Sequence, residues 1–237
     1  MKAVIQAGGQ GTRLKPYTLV LPKPLMPVGE YPIIEILLKW LRRSNVSDIY
    51  VTTGYLGHLI KAFCGDGKQW DCNIHYSEEF EPLGTIGPLH HVKDQLDETF
   101  LVLNGDLLTD MDIYKFCEFH QSHGGLLTVG TTNKKVKVDL GVLKTDKETN
   151  CVSSFQEKPS FDYQVSMGIY CMEPEIFKFV PKGIPFGFDD LMHSMLKENE
   201  KIHVYQHKGV WMDIGRPEDY RNAQKLLLEN DTHFVGV

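Results

Sequence analysis

The sequence predicts an α/β fold in which a mostly parallel sheet flanked by helices carries a smaller antiparallel lobe. Short β-rich runs alternate with helical patterns over roughly the first 125 residues, the mark of stacked β-α-β units. The wholly apolar run 100–103 ends at Asn104-Gly105-Asp106, as expected of a central parallel strand whose carboxyl end opens onto a site. From about Leu126 several strands lie close together with no long helix among them, which implies the antiparallel addition. The 237 residues, 42% hydrophobic, suffice for one globular unit with a lobe boundary near residue 125, because no Pro-, Gly- and Ser-rich linker separates the halves.

The first strand is predicted at residues 2–6. Pro32 sits where the first turn of a helix tolerates proline, and Ile33, Ile34, Leu37, Leu38 and Leu41 form a helical apolar stripe that belongs to the core. Strands follow at 48–53 and 73–77, with a helix at 56–63 between them and another at 86–92. In the second half, strands are predicted at 126–131, 141–144, 151–155, 165–171, 202–206 and 210–213, and helices at 174–179, 189–197 and 217–229.

Between the first strand and the first helix, Ala7-Gly8-Gly9-Gln10-Gly11-Thr12-Arg13-Leu14 reads as a phosphate cradle. Its glycines let the backbone turn with N–H groups pointing inward, and side chains there would obstruct an approaching triphosphate. A nucleoside triphosphate brings about four negative charges, which backbone dipoles alone neutralise poorly. Arg13 and Lys23, the latter within Pro22-Lys23-Pro24, add the fixed positive charge.

A formal net charge of -6 without any Lys/Arg block argues against a general nucleic-acid binder, so the anion site must be local. The five cysteines are odd in number, widely spaced and free of Cys-x-x-Cys, which fits neither a disulfide framework nor a zinc site and suits a reducing cytoplasm. No apolar run approaches the roughly 18 residues of a membrane span, and the chain opens directly into a strand, so an unprocessed protein without membrane association is expected. The ten histidines match no metal spacing.

Two aspartates occupy strand ends. Asp106 follows the apolar strand and a glycine, and Asp213 ends Val210-Trp211-Met212 just before Ile214-Gly215. If the fold brings them together, two carboxylates plus triphosphate oxygens and water form an oxygen-rich Mg²⁺ site. Taken separately, either residue is also explained as a turn former or helix cap.

Gly8-Gly9-Gln10-Gly11-Thr12-Arg13-Leu14-Lys15-Pro16-Tyr17-Thr18 followed by Pro22-Lys23-Pro24-Leu25-Met26-Pro27-Val28 resembles the signature of the sugar-1-phosphate nucleotidylyltransferases. Glu81-Pro82-Leu83-Gly84-Thr85-Ile86-Gly87-Pro88-Leu89, Asn104-Gly105-Asp106, Gln156-Glu157-Lys158-Pro159 and Trp211-Met212-Asp213-Ile214-Gly215 resemble its later motifs, in order, so the likeness runs to about residue 225. It implies a Rossmann-like single nucleotidyltransferase domain over 1–237, with a nucleotide-binding lobe at about 1–125 and a sugar-phosphate-binding lobe at about 126–237. It also implies an activity: a sugar-1-phosphate oxygen attacks the α-phosphorus of an NTP, and pyrophosphate leaves.

Under that resemblance Ala7, Gly8, Gly9, Gly11, Thr12, Gly84 and Thr85 would lie against the nucleotide, with Arg13 on the triphosphate and the departing pyrophosphate. Lys23 would stabilise charge around the α-phosphate, and Asp106 and Asp213 would hold Mg²⁺, which makes Arg13, Lys23 and Asp106 the implied catalytic residues. Lys158 would grip the sugar phosphate, while Glu157 and the backbone at Gly141 would contact sugar hydroxyls. Ser166 stands where the family has an asparagine that commonly contacts the sugar, which implies altered contacts or a bridging water.

The segment 81–89 is most like the GDP-mannose pyrophosphorylase branch, so GTP and a mannose-type or manno-heptose-type phosphate are the expected substrates. A carboxylate at Glu81 could accept from guanine N1–H and the exocyclic amine, yet it could equally be a solvated loop residue beside Glu78 and Glu79. CTP, UTP and dTTP remain alternatives. That branch usually carries a carboxyl-terminal left-handed β-helix, and this chain stops soon after its last predicted helix, which removes a usual surface for a homo-oligomer.

Rival functions fit less well. A dinucleotide-dependent dehydrogenase needs an acidic residue ending its second strand, where this chain has Thr52-Thr53-Gly54-Tyr55. A P-loop NTPase needs Gly-Lys-Ser or Gly-Lys-Thr, and this loop has Gly11-Thr12-Arg13. A non-catalytic sugar-nucleotide sensor need not keep Arg13, Lys23, Asp106 and Asp213 together.

Overall fold

The computed structural model describes residues 1–234, so the end of the expected second lobe, 235–237, lies outside the described residues. Its strands are β1 (Lys2–Ala7), β2 (Pro27–Val28), β3 (Tyr31–Pro32), β4 (Asp48–Thr53), β5 (Asn73–Glu78), β6 (Phe100–Asn104) and β7 (Leu107–Thr109). They continue with β8 (Leu127–Lys137), β9 (Val142–Thr145), β10 (Val152–Gln156), β11 (Ser160–Met172), β12 (Ile202–Gln206) and β13 (Trp211–Asp213). The α-helices are α1 (Ile33–Arg43), α2 (Gly57–Cys64), α3 (Ile113–His123), α4 (Phe188–Lys197) and α5 (Pro217–Phe234).

Seven strands form one sheet in the order β12-β8-β11-β6-β1-β4-β5. β6, β1, β4 and β5 run parallel, β12 pairs parallel with β8, and β11 is antiparallel to both β6 and β8. The sheet is therefore mostly parallel and helix-flanked, as expected. Alternation along its central strands explains why it needs cover on both faces. Ala3, Ile5, Leu101, Leu103, Ile169 and Cys171 enter one core, and Val4, Phe100, Val102, Tyr170 and Met172 enter the other. The first core takes the α1 stripe Ile33, Ile34, Leu37, Leu38 and Leu41, and each fully buried side chain of that size contributes about 2 kcal/mol.

Several elements depart from the sequence expectation. Residues 86–92 and 174–179 form tight 3₁₀ turns (Gly87–Gln95 and Pro174–Phe179) rather than α-helices, each with proline in its first turn. Helix α3 lies where no helix is predicted. It is capped by Asp112, whose side chain accepts from Lys115 N at 3.1 Å, and closed by Gly124 in the left-handed region at φ 63°. Strands β8 and β11 also run longer than their apolar segments, because their outer halves continue as an exposed two-stranded ribbon bearing the β9–β10 hairpin between them.

Where α3 ends, three histidines meet away from the glycine loop. His120 contacts Thr128 Oγ1 at 2.8 Å and Glu173 Oε1 at 3.0 Å, Thr99 also donates to Glu173, and the His123 and His203 rings stack with centroids 3.5 Å apart. Burial pushes the pKa values of His120 and His123 down; at His120 the Glu173 carboxylate offsets part of this, and neighbouring histidines add repulsion against a proton on either. The unfolded chain binds protons on these groups below about pH 6.5 while the folded chain resists them, so the stability they leave intact at pH 7.5 is lost as pH falls. Unfolding free energy should drop by at most about 1.4 kcal/mol per pH unit for each histidine, reckoned from one proton of linkage. Urea titrations at pH 7.5, 6.5 and 5.5 check this, and the slope should be shallower in His123→Phe.

Candidate active site

The loop after β1 emerges at the carboxyl end of the parallel strands, between β4 and β6, where open α/β sheets bind ligands. Gly11 holds φ 60°, and its carbonyl accepts from Thr18 Oγ1 and Leu14 N, each at 2.9 Å. A Cβ there would sit 2.9 Å from Thr18 Cγ2, so glycine is required for both conformation and space. A Cβ on Gly9, in contrast, would meet nothing within 4 Å and would project into open space. That space is a cavity of about 250 Å³ lined by Ala7, Gly9, Gly11, Thr12 and Arg13 of the loop together with Lys23, Gly105 and Asp106.

Asp106 and Asp213, distant in sequence, are brought together by a short ladder. Antiparallel pairing sets Asp213 opposite Leu107, and Ile214 N donates to the Asp106 carbonyl at 3.0 Å. Thr109 Oγ1 donates to the Val210 carbonyl at 2.9 Å, and Asp110 accepts from Val210 N at 2.7 Å and contacts His207 Nε2 at 2.8 Å, which anchors the approach to β13. Lys23 stands between the two carboxylates, with Nζ paired to Asp106 Oδ2 and 3.7 Å from Asp213 Oδ1. Arg13 closes the other side. A Cβ on Gly215 would lie 3.0 Å from Arg13 Nη2 and 3.1 Å from Asp213 Oδ2.

Burial pushes the Asp106 carboxyl up, Lys23 pulls it back down, and the Asp213 charge raises it again. Its Oδ1 is buried and has no hydrogen-bond partner, an uncompensated acceptor that a cation would satisfy. Among the described residues no cluster of three or more His, Cys, Asp or Glu could hold a metal. Two carboxylates fit Mg²⁺ nonetheless, because that ion takes one or two protein carboxylates and fills its shell with phosphates and water.

A second cavity of about 810 Å³ adjoins the first, sharing Gln6, Gly9 and Asp106 with it. Gly8, Glu81, Gly84 and Thr85, all singled out in the sequence, line it. Gly84 holds φ 77° with the Phe186 carbonyl 2.7 Å from where a Cβ would be, and Thr85 Oγ1 accepts from Phe188 N at 2.9 Å. The sequence did not single out Glu79 or Gln6. Glu79 Oε2 accepts from Leu83 N at 3.2 Å, its Oε1 lies 2.5 Å from the point a Gly8 Cβ would occupy, and burial pushes its carboxyl up. Gln6 donates through Nε2 to the Thr85 carbonyl and leaves a buried Oε1 unpartnered. Glu81 is exposed.

Gly141, Glu157, Lys158 and Ser166 line neither cavity. Glu157 Oε2 would be 3.3 Å from a Cβ on Gly141, so these two face each other near the β9–β10 hairpin. Lys158 is exposed at φ 44°, and Ser166 Oγ donates to Tyr170 OH and accepts from Gly168 N, both at 3.2 Å.

Residues 2–230 match the Nucleotidyl transferase family. The chain belongs to that family. Among its relatives, mannose-1-phosphate guanyltransferase of Saccharomyces cerevisiae is 32% identical over 97% of this chain and 65% of its own length. UTP–glucose-1-phosphate uridylyltransferase of Synechocystis is 30% identical over 100% of this chain and 66% of its own. The chain thus spans slightly under two thirds of either nucleotidyl transferase. Among solved structures, HddC of Yersinia pseudotuberculosis complexed with GMP-PN superposes with a TM-score of 0.74 at 26% identity, covering 95% of this chain and 99% of that one. Among the described residues, no helix of this family member is long and apolar enough to cross a membrane.

Proposed function

We propose that this chain transfers a nucleoside monophosphate from an NTP to a sugar-1-phosphate, with GTP as donor and a mannose-type or manno-heptose-type phosphate as acceptor. The observation that carries the reaction class is Lys23 set between Asp106 and Asp213 at the edge of the glycine-loop cavity. There the triphosphate would lie along Gly9, Gly11 and Thr12, whose lack of bulk leaves room for its oxygens, and Arg13 would take the charge of the departing pyrophosphate. Lys23 would offset charge at the α-phosphate. Mg²⁺ held by Asp106 and Asp213 would supply further charge compensation to the phosphate oxygens. The attacking sugar-phosphate oxygen is already anionic, so no side chain need take a proton from it, and catalysis reduces to positioning and electrostatics.

Base choice rests on Glu79. Its carboxylate is half withdrawn from water beside Gly8 and could accept from both guanine N1–H and the exocyclic amine, whereas uracil and thymine offer one ring N–H. The GMP-PN bound by the Yersinia relative agrees with that choice. On the acceptor side, the proposed division of labour gives residues from about 126 onward to the sugar phosphate, with Lys158 on the phosphate, Glu157 and Gly141 on the hydroxyls, and Ser166 on the sugar. The proposed setting is the cytoplasm, consistent with five free cysteines of which four are buried.

A pyrophosphate-release screen of four NTPs against mannose-, glucose-, heptose- and amino-sugar-1-phosphates tests the substrates. GTP with a mannose-type or heptose-type phosphate should give the highest kcat/KM, and highest turnover with UTP or dTTP would overturn the base assignment. In Lys158→Ala, KM for the sugar phosphate should rise by about tenfold or more while KM for the NTP stays within about twofold, reflecting loss of one charge-assisted contact. Equal changes in both would refute the division of labour.

A further inference from the structure

Lys23 occupies a position that a metal ion would also seek. Pro22 and Pro24 flank it in the turn Lys23–Leu25, so its backbone is stiff, and only 8% of the residue is exposed. Its ammonium is paired with Asp106 and lies 3.7 Å from Asp213, while Asp106 Oδ1 stays buried and unpartnered. One positive charge thus faces two carboxylates. A dication entering between the same oxygens would meet the ammonium at close range, where like charges repel strongly because little water screens them. The side chain has an alternative partner, because Lys23 also lines the cavity formed by Gly9, Gly11 and Arg13.

We propose that Lys23 is the resident counter-ion of the Asp106–Asp213 pair, and that it yields those carboxylates to a divalent cation when a nucleotide phosphate takes its ammonium. Metal and nucleotide then bind synergistically, and the metal alone binds weakly. The same motion that frees the carboxylates delivers the lysine charge to the α-phosphate. This inference rests on the nucleotide-binding reading above.

Mn²⁺ binding to the full chain, followed by the electron paramagnetic resonance of free Mn²⁺, tests it without turnover. If the paired arrangement fills about nine tenths of the unliganded population, the apparent Mn²⁺ affinity is reduced about tenfold. Lys23→Met should therefore bind Mn²⁺ about tenfold more tightly than the wild type, and Lys23→Arg, which keeps the charge, should stay within about twofold of it. Saturating GMP should strengthen Mn²⁺ binding by a larger factor in the wild type than in Lys23→Met, where direct ligation of the metal by the phosphate is the one contribution left. Lys23→Met binding no more tightly than the wild type overturns the counter-ion role. Absence of a GMP effect in the wild type, with Lys23→Met still tighter, instead refutes the nucleotide reading. A measurement on the wild type alone guards against a variant that does not fold. In ¹⁵N-lysine NMR the buried Lys23 ammonium should shift on adding Mg²⁺ and GMP together, and an unmoved signal also overturns the proposal.

Discussion

Asp106→Asn is expected to lower kcat by on the order of 10² or more, as loss of a metal's transition-state role does. Asp106 is the more withdrawn of the two carboxylates, with side-chain exposure of 19% against 41% for Asp213. It is also fixed at the end of β6 by Gly105, whose N donates to the Gln6 carbonyl at 2.8 Å. Asparagine keeps the shape and one acceptor oxygen but removes the charge. Both variants end the Lys23 ion pair, and breaking a buried pair costs about 3–5 kcal/mol of stability, but alanine is the poorer test because it also leaves the ammonium without an acceptor oxygen at that position. Steady-state kinetics beside urea titrations separate the two effects. Turnover within about fivefold of the wild type would remove Asp106 from the reaction.

Glu79→Gln carries the second large effect. An ionised carboxylate accepts from both guanine donors, whereas an amide can offer only its one oxygen and turns a donor toward the base. Loss of a bidentate base contact is worth about 1–3 kcal/mol, so kcat/KM for GTP should fall roughly 10- to 100-fold. Use of UTP, whose base presents one donor and flanking acceptors, should hold steady or improve. Competition assays with paired NTPs measure this ratio directly. Glu81→Gln supplies the contrast, since Glu81 lines the same cavity from an exposed position and should shift the ratio by less than about threefold. A larger shift from Glu81 than from Glu79 would reassign the base reader.

The sheet was legible because its central strands are nearly pure in character. The runs 3–5 and 100–103 are continuous apolar segments, buried on both faces, and α1 carries an unmixed stripe. Helix α3 was not legible in the same way. Its buried residues Ile113, Phe116, Cys117 and His120 do keep helical spacing, but a histidine and a cysteine dilute the stripe, and its clearest signals were the caps Asp112 and Gly124. The outer ribbon of β8 and β11 escaped because strand pairing there continues through exposed residues, Val136, Phe161 and Tyr163 among them, with backbone bonds and no core to pattern the sequence.

The candidate site divides along the same line. Residues with fixed motif spacing, such as Gly11, Arg13 and Lys23, were visible because one loop carries them. The meeting of Asp106 with Asp213 depends on the β7–β13 ladder, a long-range pairing that local sequence does not encode. Glu79 was hidden among Glu78 and Glu81, since three acidic residues within four positions look alike until the fold withdraws one of them partly from water. Glycines and cations within one loop make a triphosphate site readable from the sequence. What closes it into a two-cavity site is tertiary structure.

The most direct test of the central claim is ³¹P NMR of the purified chain with Mg²⁺, GTP and mannose-1-phosphate or a manno-heptose-1-phosphate. Equimolar pyrophosphate and a nucleoside diphosphate sugar are expected, formed only when both substrates are present and reversed by added pyrophosphate. Release of orthophosphate, or of pyrophosphate without any sugar phosphate, would contradict it.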